Sequence, residues 1–165
     1  MAEKIYRDPV FIENTNFIYR TNFAGDPNKD KYKSTTRRGN LIIPTEEQAI
    51  EMQEAGYRVK QTIPREGEEE GFVPTYFVPI IIGYAHPKRK PHIFLVTNGT
   101  PTELGEDEVH MLDEVYVLNV NATLHPNYNP ERETWTLYVQ TMYVEQDVAD
   151  DPWASRYNWR TGDDE

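Results

Sequence analysis

The stretch "YRTNFAGDPNKDKYKSTTRRGNLIIP", residues 19–44, decides how this chain is read. Its two ends are strand-like and its middle is not. Residues 19–23 close a longer run, "PVFIENTNFIYRTNF" (9–23), in which Phe11, Phe17, Tyr19 and Phe23 share one parity. Ile12, Ile18 and Arg20 share the other, which is the period of a half-buried strand. The centre of that run, "ENTN", is polar on both faces. At the other end "RRGNLIIP" (37–44) reads as a second strand. Between them "GDPNKDKYKST" breaks the pattern with Gly, Pro and Asn and is too long for a tight hairpin. This loop is also where the positive charge gathers. Arg20, Lys29, Lys31, Lys33, Arg37 and Arg38 face only Asp26 and Asp30 there, with Phe23 and Tyr32 among them, in a chain whose net charge is -11.

Working outward, "PTEEQAIEMQEAG" (44–56) predicts the best helix of the chain. Thr45 is a good N-cap, and Gln48 three positions on completes a capping box. Glu46 and Glu47 suit the positive end of the helix dipole. Gly56 suits the left-handed residue that ends a helix, and Ala49, Met52 and Ala55 would face the core. Strands follow over "YRVKQTIP" (57–64), "VPTYFVPIIIGY" (73–84) and "HIFLVTNG" (92–99). Pro74 and Pro79 argue that the second of these is an edge strand or carries a bulge. "TPTELGEDEVHMLD" (100–113) predicts a short helix over Val109 and Leu112. "EVYVLNVNATLHP" (114–126) and "TWTLYVQTMYV" (134–144) are strands joined by the turn residues of "NYNPERE". About seven short strands with one inserted helix and a second short helix predict a mainly β fold, a small antiparallel barrel or sandwich. The five-stranded Greek-key barrel that binds oligonucleotides, the OB-fold, belongs to that class.

Composition narrows the function. The 165 residues suffice for one domain with a core, and the absence of cysteine excludes disulfides, thiolate metal sites and a cysteine nucleophile. The start lacks the apolar run of a signal peptide, and the longest apolar stretch, "YFVPIIIGY", is too short for a membrane-spanning helix. A soluble cytoplasmic protein without membrane contact is expected. His86, His92, His110 and His125 form no HxH or HExxH spacing, and no nucleophile elbow or phosphate loop occurs. No metal, cofactor or enzymatic activity is therefore expected. Residues 1–90 hold 14 Lys and Arg against 13 Asp and Glu, whereas residues 91–165 hold 3 against 15. The basic residues fall in three clusters: Lys29–Arg38, Arg58 with Lys60 and Arg65, and "HPKRKP" (86–91). A single cluster reads as solubilising surface charge. Three clusters with aromatics at strand ends match the needs of a single-stranded nucleic acid, whose phosphates want cations and whose bases want ring faces. The last stretch, "EQDVADDPWASRYNWRTGDDE", is acidic and lacks periodicity, as a flexible solubilising tail or an acidic arm with aromatic anchors would be.

These features together resemble phage single-stranded DNA-binding proteins of the OB-fold type, the broad T7-like replication group. The stretches that carry the likeness are "FIYRTNFAG", "RRGNLIIP", "TEEQAIEMQEAG" with "YRVKQTIPREGEEE" directly after it, "LGEDEVHMLDEVYVLNVNATLHP" and "WTLYVQTMYV". The resemblance runs from about Phe11 to Glu145. It implies an OB-fold domain over residues 1–145 and an acidic tail over 146–165 that recruits replication or recombination partners through Asp150, Asp151, Trp153, Trp159, Asp163 and Asp164. Carried over by position, Arg20, Phe23, Arg37, Arg38, Tyr57 and Lys60 would face DNA. The full expectation adds Lys31, Lys33, Lys88, Arg89 and Lys90 to the phosphate contacts, and gives base stacking to Phe23, Tyr32 and Tyr57. The expected function is non-enzymatic, largely sequence-independent binding and protection of single-stranded DNA in phage replication and recombination, in the host cytoplasm, with a homodimer left open. Two rival readings are an acidic DNA mimic that inhibits a host nuclease or defence protein, and a small virion assembly protein.

Overall fold

The polar centre of the first run is where its strand breaks, and the break organises the sheet. The computed structural model describes residues 7–30, 33–85 and 90–147. Strands β1 (Val10–Thr15) and β2 (Phe17–Asn22) are separated by Asn16 alone. They are followed by β3 (Arg37–Ile42), helix α1 (Glu46–Glu54), β4 (Lys60–Gln61), β5 (Tyr76–Ile82), β6 (His92–Thr97), β7 (Thr100–Leu104), β8 (Val117–Asn129) and β9 (Thr134–Gln146). A single sheet runs in the order β1-β8-β9-β5-β3-β2, with β4 beside β5 and the β6–β7 pair beside β9. Because β1 and β2 are consecutive, one kinked strand serves both ends of that path. The sheet curls back on itself as the partly open, five-stranded Greek-key barrel of the OB type.

Asn16 stitches this seam. Its side chain donates to the Val117 carbonyl of β8 (2.9 Å), and its own carbonyl accepts from the Ile42 amide of β3 (2.9 Å). Thr15 Oγ1 donates to the Ile42 carbonyl as well (2.6 Å). The kink also resets side-chain parity. Asn14 has φ 53 and Tyr19 φ 62, in the left-handed region, and the β2–β3 register shifts between Ile18 and Asn22. Ile12 therefore points into the barrel while Phe11 points out, and further along Phe23 turns fully inward. The core is aliphatic, built on Ile12, Leu41, Ile80, Ile82, Ile93, Leu124, Leu137 and Met142 from most of the strands.

The sheet is mixed, which corrects the antiparallel expectation: β9 runs parallel both to β5 (at Ile80 and Ile81) and to β6 (at His92–Val96). The edge role expected for 73–84 is corrected too, because β5 sits inside the sheet between β3 and β9. Pro79 is tolerated because its missing N–H falls between the end of the β4 pairing at Phe77 and the start of the β9 pairing at Ile80. The expected strand at 57–64 shrinks to Lys60–Gln61, and 100–113 yields β7 and a 3-10 turn, Val109–Asp113. Helix α1 is capped as expected, with Thr45 Oγ1 accepting from the Gln48 amide (3.2 Å), and it buries Ala49 and Met52. The Gln48 side chain does not close the capping box. It donates instead to the Phe11 carbonyl (2.8 Å) and so ties the helix to β1.

Gly39 of β3 lies directly under Phe23. A Cβ there would come to 2.8 Å from the Phe23 ring and 3.2 Å from Thr21 Cγ2. Phe23 is fully buried and has nowhere to retreat. Gly39→Ala is expected to destabilise the domain by about 1–3 kcal/mol through overpacking, read as a lowered denaturation midpoint with an unchanged slope.

Candidate nucleic-acid interface

The basic loop between β2 and β3 corresponds to the connection between the first two strands of an OB barrel, one of the places where this fold binds oligonucleotides. Its base is held by two opposite charges. The Asp113 carboxylate, whose side chain is only 2% exposed, accepts from Thr21 Oγ1 (2.6 Å), the Phe23 amide (2.8 Å) and the Ala24 amide (2.9 Å). From the other side the Arg37 guanidinium donates to the Phe23 carbonyl (3.0 Å) and reaches the Ala24 carbonyl (3.5 Å). The two residues that turn the chain from β2 into the loop thus have both N–H and both C=O groups claimed. Asn22 continues the lock, donating to the Asp26 carbonyl and accepting from the Asp26 amide, each at 3.0 Å. Lys29 Nζ lies 4.0 Å from Asp113 and adds charge compensation.

Above this base a cleft of about 240 Å3 opens, lined by Arg20, Asn22, Lys29, Asp30, Arg38, Gly39 and Asn40. Three cations face one carboxylate in it, and Asp30 sits 3.9 Å from Arg38 Nε. Arg20 and Arg38 are exposed. Beside the cleft, Tyr19 is 62% exposed and rests edge-on against Phe77, centroids 5.4 Å apart. Lys60 is the cross-strand partner of Phe77, which puts a cation next to this aromatic pair.

The predicted site residues separate accordingly. Arg20 and Arg38 come together in the cleft, Lys60 lies beyond Phe77, and Lys33 is exposed in the loop. Arg37 is a correction: strand alternation puts it on the face opposite Arg38, and its guanidinium is spent on the loop carbonyls and on Glu106 at 3.9 Å. Phe23 is a second correction. It is 0% exposed, packed edge-on to Phe17 (5.3 Å), and offers no face to a base. Tyr57 is a third, 8% exposed, against Trp135 and under the Arg7 guanidinium. Lys90 is exposed but lines a different groove. Lys31, Tyr32, Lys88, Arg89 and the tail residues Asp150, Asp151, Trp153, Trp159, Asp163 and Asp164 lie outside the described residues. Sequence reasoning did not single out the exposed ring of Tyr19. It assigned Tyr19 to the face of Phe17 and Phe23, and nothing in a sequence signals a left-handed tyrosine. Its position directly before Arg20, after a stretch polar on both faces, was the one available hint.

Tyr84 lies on the far side of Arg37, with the guanidinium 5.6 Å from its ring centroid. Its hydroxyl is the one buried side-chain polar atom without a partner among the described residues. Burial raises its pKa above the ordinary tyrosine value; Arg37 opposes this, while Glu106 and Glu103 add to it. The folded state thus keeps a proton that the unfolded state loses above about pH 10. Stability falls as pH rises through that region. Tyr84→Phe is expected to be neutral or slightly stabilising at pH 7, since it removes an unpaired buried hydroxyl, and to lose part of this alkaline decline. Denaturation midpoints measured against pH read both effects. Asp113→Ala leaves the Phe23 and Ala24 amides unpaired and is expected to cost about 3 kcal/mol. Asp113→Asn, which keeps an acceptor, is expected to cost less in the same denaturation assay.

Among the described residues, no three His, Asp or Glu converge as a metal site, and no helix is long and apolar enough to cross a membrane. A family model described as "Putative phage ssDNA-binding domain" matches residues 1–158. No curated protein matches the chain. Among solved structures, the chain is similar to the single-stranded DNA-binding protein from bacteriophage Enc34. The C-terminally truncated form aligns at 12% identity over 89% of this chain and 97% of that one, with a TM-score of 0.49. The untruncated form aligns at 12% identity over 94% and 97%, with a TM-score of 0.48. A third similar structure is gp2.5, a single-stranded DNA-binding protein encoded by bacteriophage T7, at 13% identity over 93% and 94%, with a TM-score of 0.30.

Proposed function

This chain belongs to the phage ssDNA-binding domain family, and from that premise we propose that it coats single-stranded DNA during phage replication by laying the strand across the outer face of β2, β3 and β5. The observation that carries this reading is the Arg20–Lys29–Arg38 cleft beside the exposed Tyr19 ring. Arg20 and Arg38 neutralise phosphates, with Lys33 and Lys60 flanking the path. Tyr19 supplies the stacking face that Phe23 and Tyr57, both buried, do not. Stacking and phosphate contact need no base-edge reading, so binding is largely independent of sequence. The protein works without catalysis, in the host cytoplasm, protecting the strand in replication and recombination. The acidic residues that follow the barrel recruit replication or recombination proteins. The same negative charge discourages loose binding to duplex, whose affinity rests on phosphate neutralisation.

The test is tryptophan and tyrosine fluorescence during titration with oligo-dT over a range of salt. Log affinity is expected to fall linearly with log salt, and Arg20→Ala and Arg38→Ala are each expected to reduce the slope by about 0.7. Tyr19→Ala is expected to cost about 1–3 kcal/mol of binding while leaving the salt slope unchanged. Absence of binding by the wild-type protein at low salt overturns the proposal and favours the acidic inhibitor.

A further inference from the structure

β9 changes its parallel partner partway along its length. β9 meets β5 at Leu137 and Tyr138 and then meets β6 from Thr141 onward. β5 ends at Ile82 and β6 begins at His92. Neither strand pairs with Val139 or Gln140, and a groove of about 720 Å3 opens beside them. We propose that this groove is a second segment of the binding path, taking the phosphate backbone of a single strand that continues from the β3 cleft. This rests on the single-stranded DNA reading given above.

Charge is the first argument. Arg7, Lys90, His92 and His125 line the groove against one carboxylate, Asp8, in a chain of net charge -11. Arg7 and His92 are held by contacts within the protein. Arg7 donates to the Ala55 carbonyl (2.6 Å) and lies over the Trp135 ring (3.9 Å), and His92 Nδ1 is 2.9 Å from Glu103. Arg7 therefore supplies a fixed positive field from the groove wall, and exposed Lys90 supplies a side chain able to follow a phosphate.

Continuity is the second argument. Arg38 on β3 is opposite Ile81 on β5, Ile81 is opposite Tyr138 on β9, and Tyr138 is opposite His125 on β8. Directly opposed residues share a face of a sheet, so these four form one row across the barrel. With strands about 4.8 Å apart, the row carries a strand from the cleft to the groove in about three spacings. Tyr138 stands where the two meet. Gly83, beside its ring, has no side chain to cover it; a Cβ there would lie 3.3 Å from Tyr138 Cδ1. Along this row cations of the cleft, the half-buried Tyr138 ring of the groove lining and the groove's own cations follow one another, the pattern that holds a single strand without reading its sequence.

The test compares oligo-dT of about 4 and about 16 nucleotides, the two ends of the site-size range for an OB fold. Lys90→Ala is expected to lower the salt slope by about 0.7 on the long oligonucleotide and to leave the short one unchanged. Tyr138→Leu is expected to weaken the long one at least about fivefold, again sparing the short one. Arg38→Ala is expected to weaken both lengths, and thermal unfolding confirms that each variant is folded. Lys90→Ala and Tyr138→Leu behaving as wild type on both lengths, or weakening both equally, overturns the groove while leaving the cleft intact. Failure of the wild-type protein to bind either length overturns the underlying reading instead.

Discussion

The arrangement depends on a pair of opposed charges closed around two residues. Asp113 takes the amide hydrogens of Phe23 and Ala24, and Arg37 takes their carbonyls. A buried carboxylate costs several kcal/mol unless its lone pairs are filled, and here two amides, a hydroxyl and a nearby ammonium fill them. Once paid for in this way, the clamp fixes the direction in which the chain leaves β2. It drives Phe23 into the core, sets Asn22 against Asp26, and turns Lys29 and Asp30 back toward Arg38. The described cations Lys29 and Arg38 are thereby brought to one cleft.

The second constraint is the kinked first strand. Using one strand at both ends of the sheet path needs a break at which parity can change, and Asn14, Asn16 and Tyr19 supply it. Left-handed φ is far easier for Asn than for Tyr, so the strain concentrates at Tyr19. That residue is also the exposed ring beside the cations. Backbone strain held in place by a surrounding sheet is a recurrent companion of function, and here it presents an aromatic face that regular alternation would have buried.

Much of the fold was legible in the sequence because it rests on local signals. Thr45, Glu46 and Gly56 mark a helix by capping and dipole chemistry, and 134–144 announces a strand by its run of aromatic and β-branched residues. What was hidden rests on non-local facts. Pro79 looked like an edge residue because a sequence does not show that β4 stops and β9 starts on either side of it. The parallel pairings of β9 are a matter of topology and leave no trace in any one segment. The site divided along the same line. Arg20 and Arg38 were singled out from charge against an acidic background, and the fold brings them into one cleft. Arg37 was grouped with them because a doublet reads as one patch, although a strand sends its two members to opposite faces. Phe23 and Tyr57 were assigned to bases because an aromatic beside a cation looks the same whether it stacks on a ligand or closes a core.

The central claim is that the strand lies over Tyr19 and Arg38 on the β2–β3–β5 face. Photo-crosslinking with oligo-dT carrying 5-iodouracil, followed by peptide mass spectrometry, asks this of the native protein directly. The account predicts adducts on Tyr19, within the peptide that also carries Arg20, and none on buried Phe23. Adducts confined to the stacked pair of half-buried Phe94 and exposed Tyr143 on the β6–β9 surface, with Tyr19 unmodified, would contradict it.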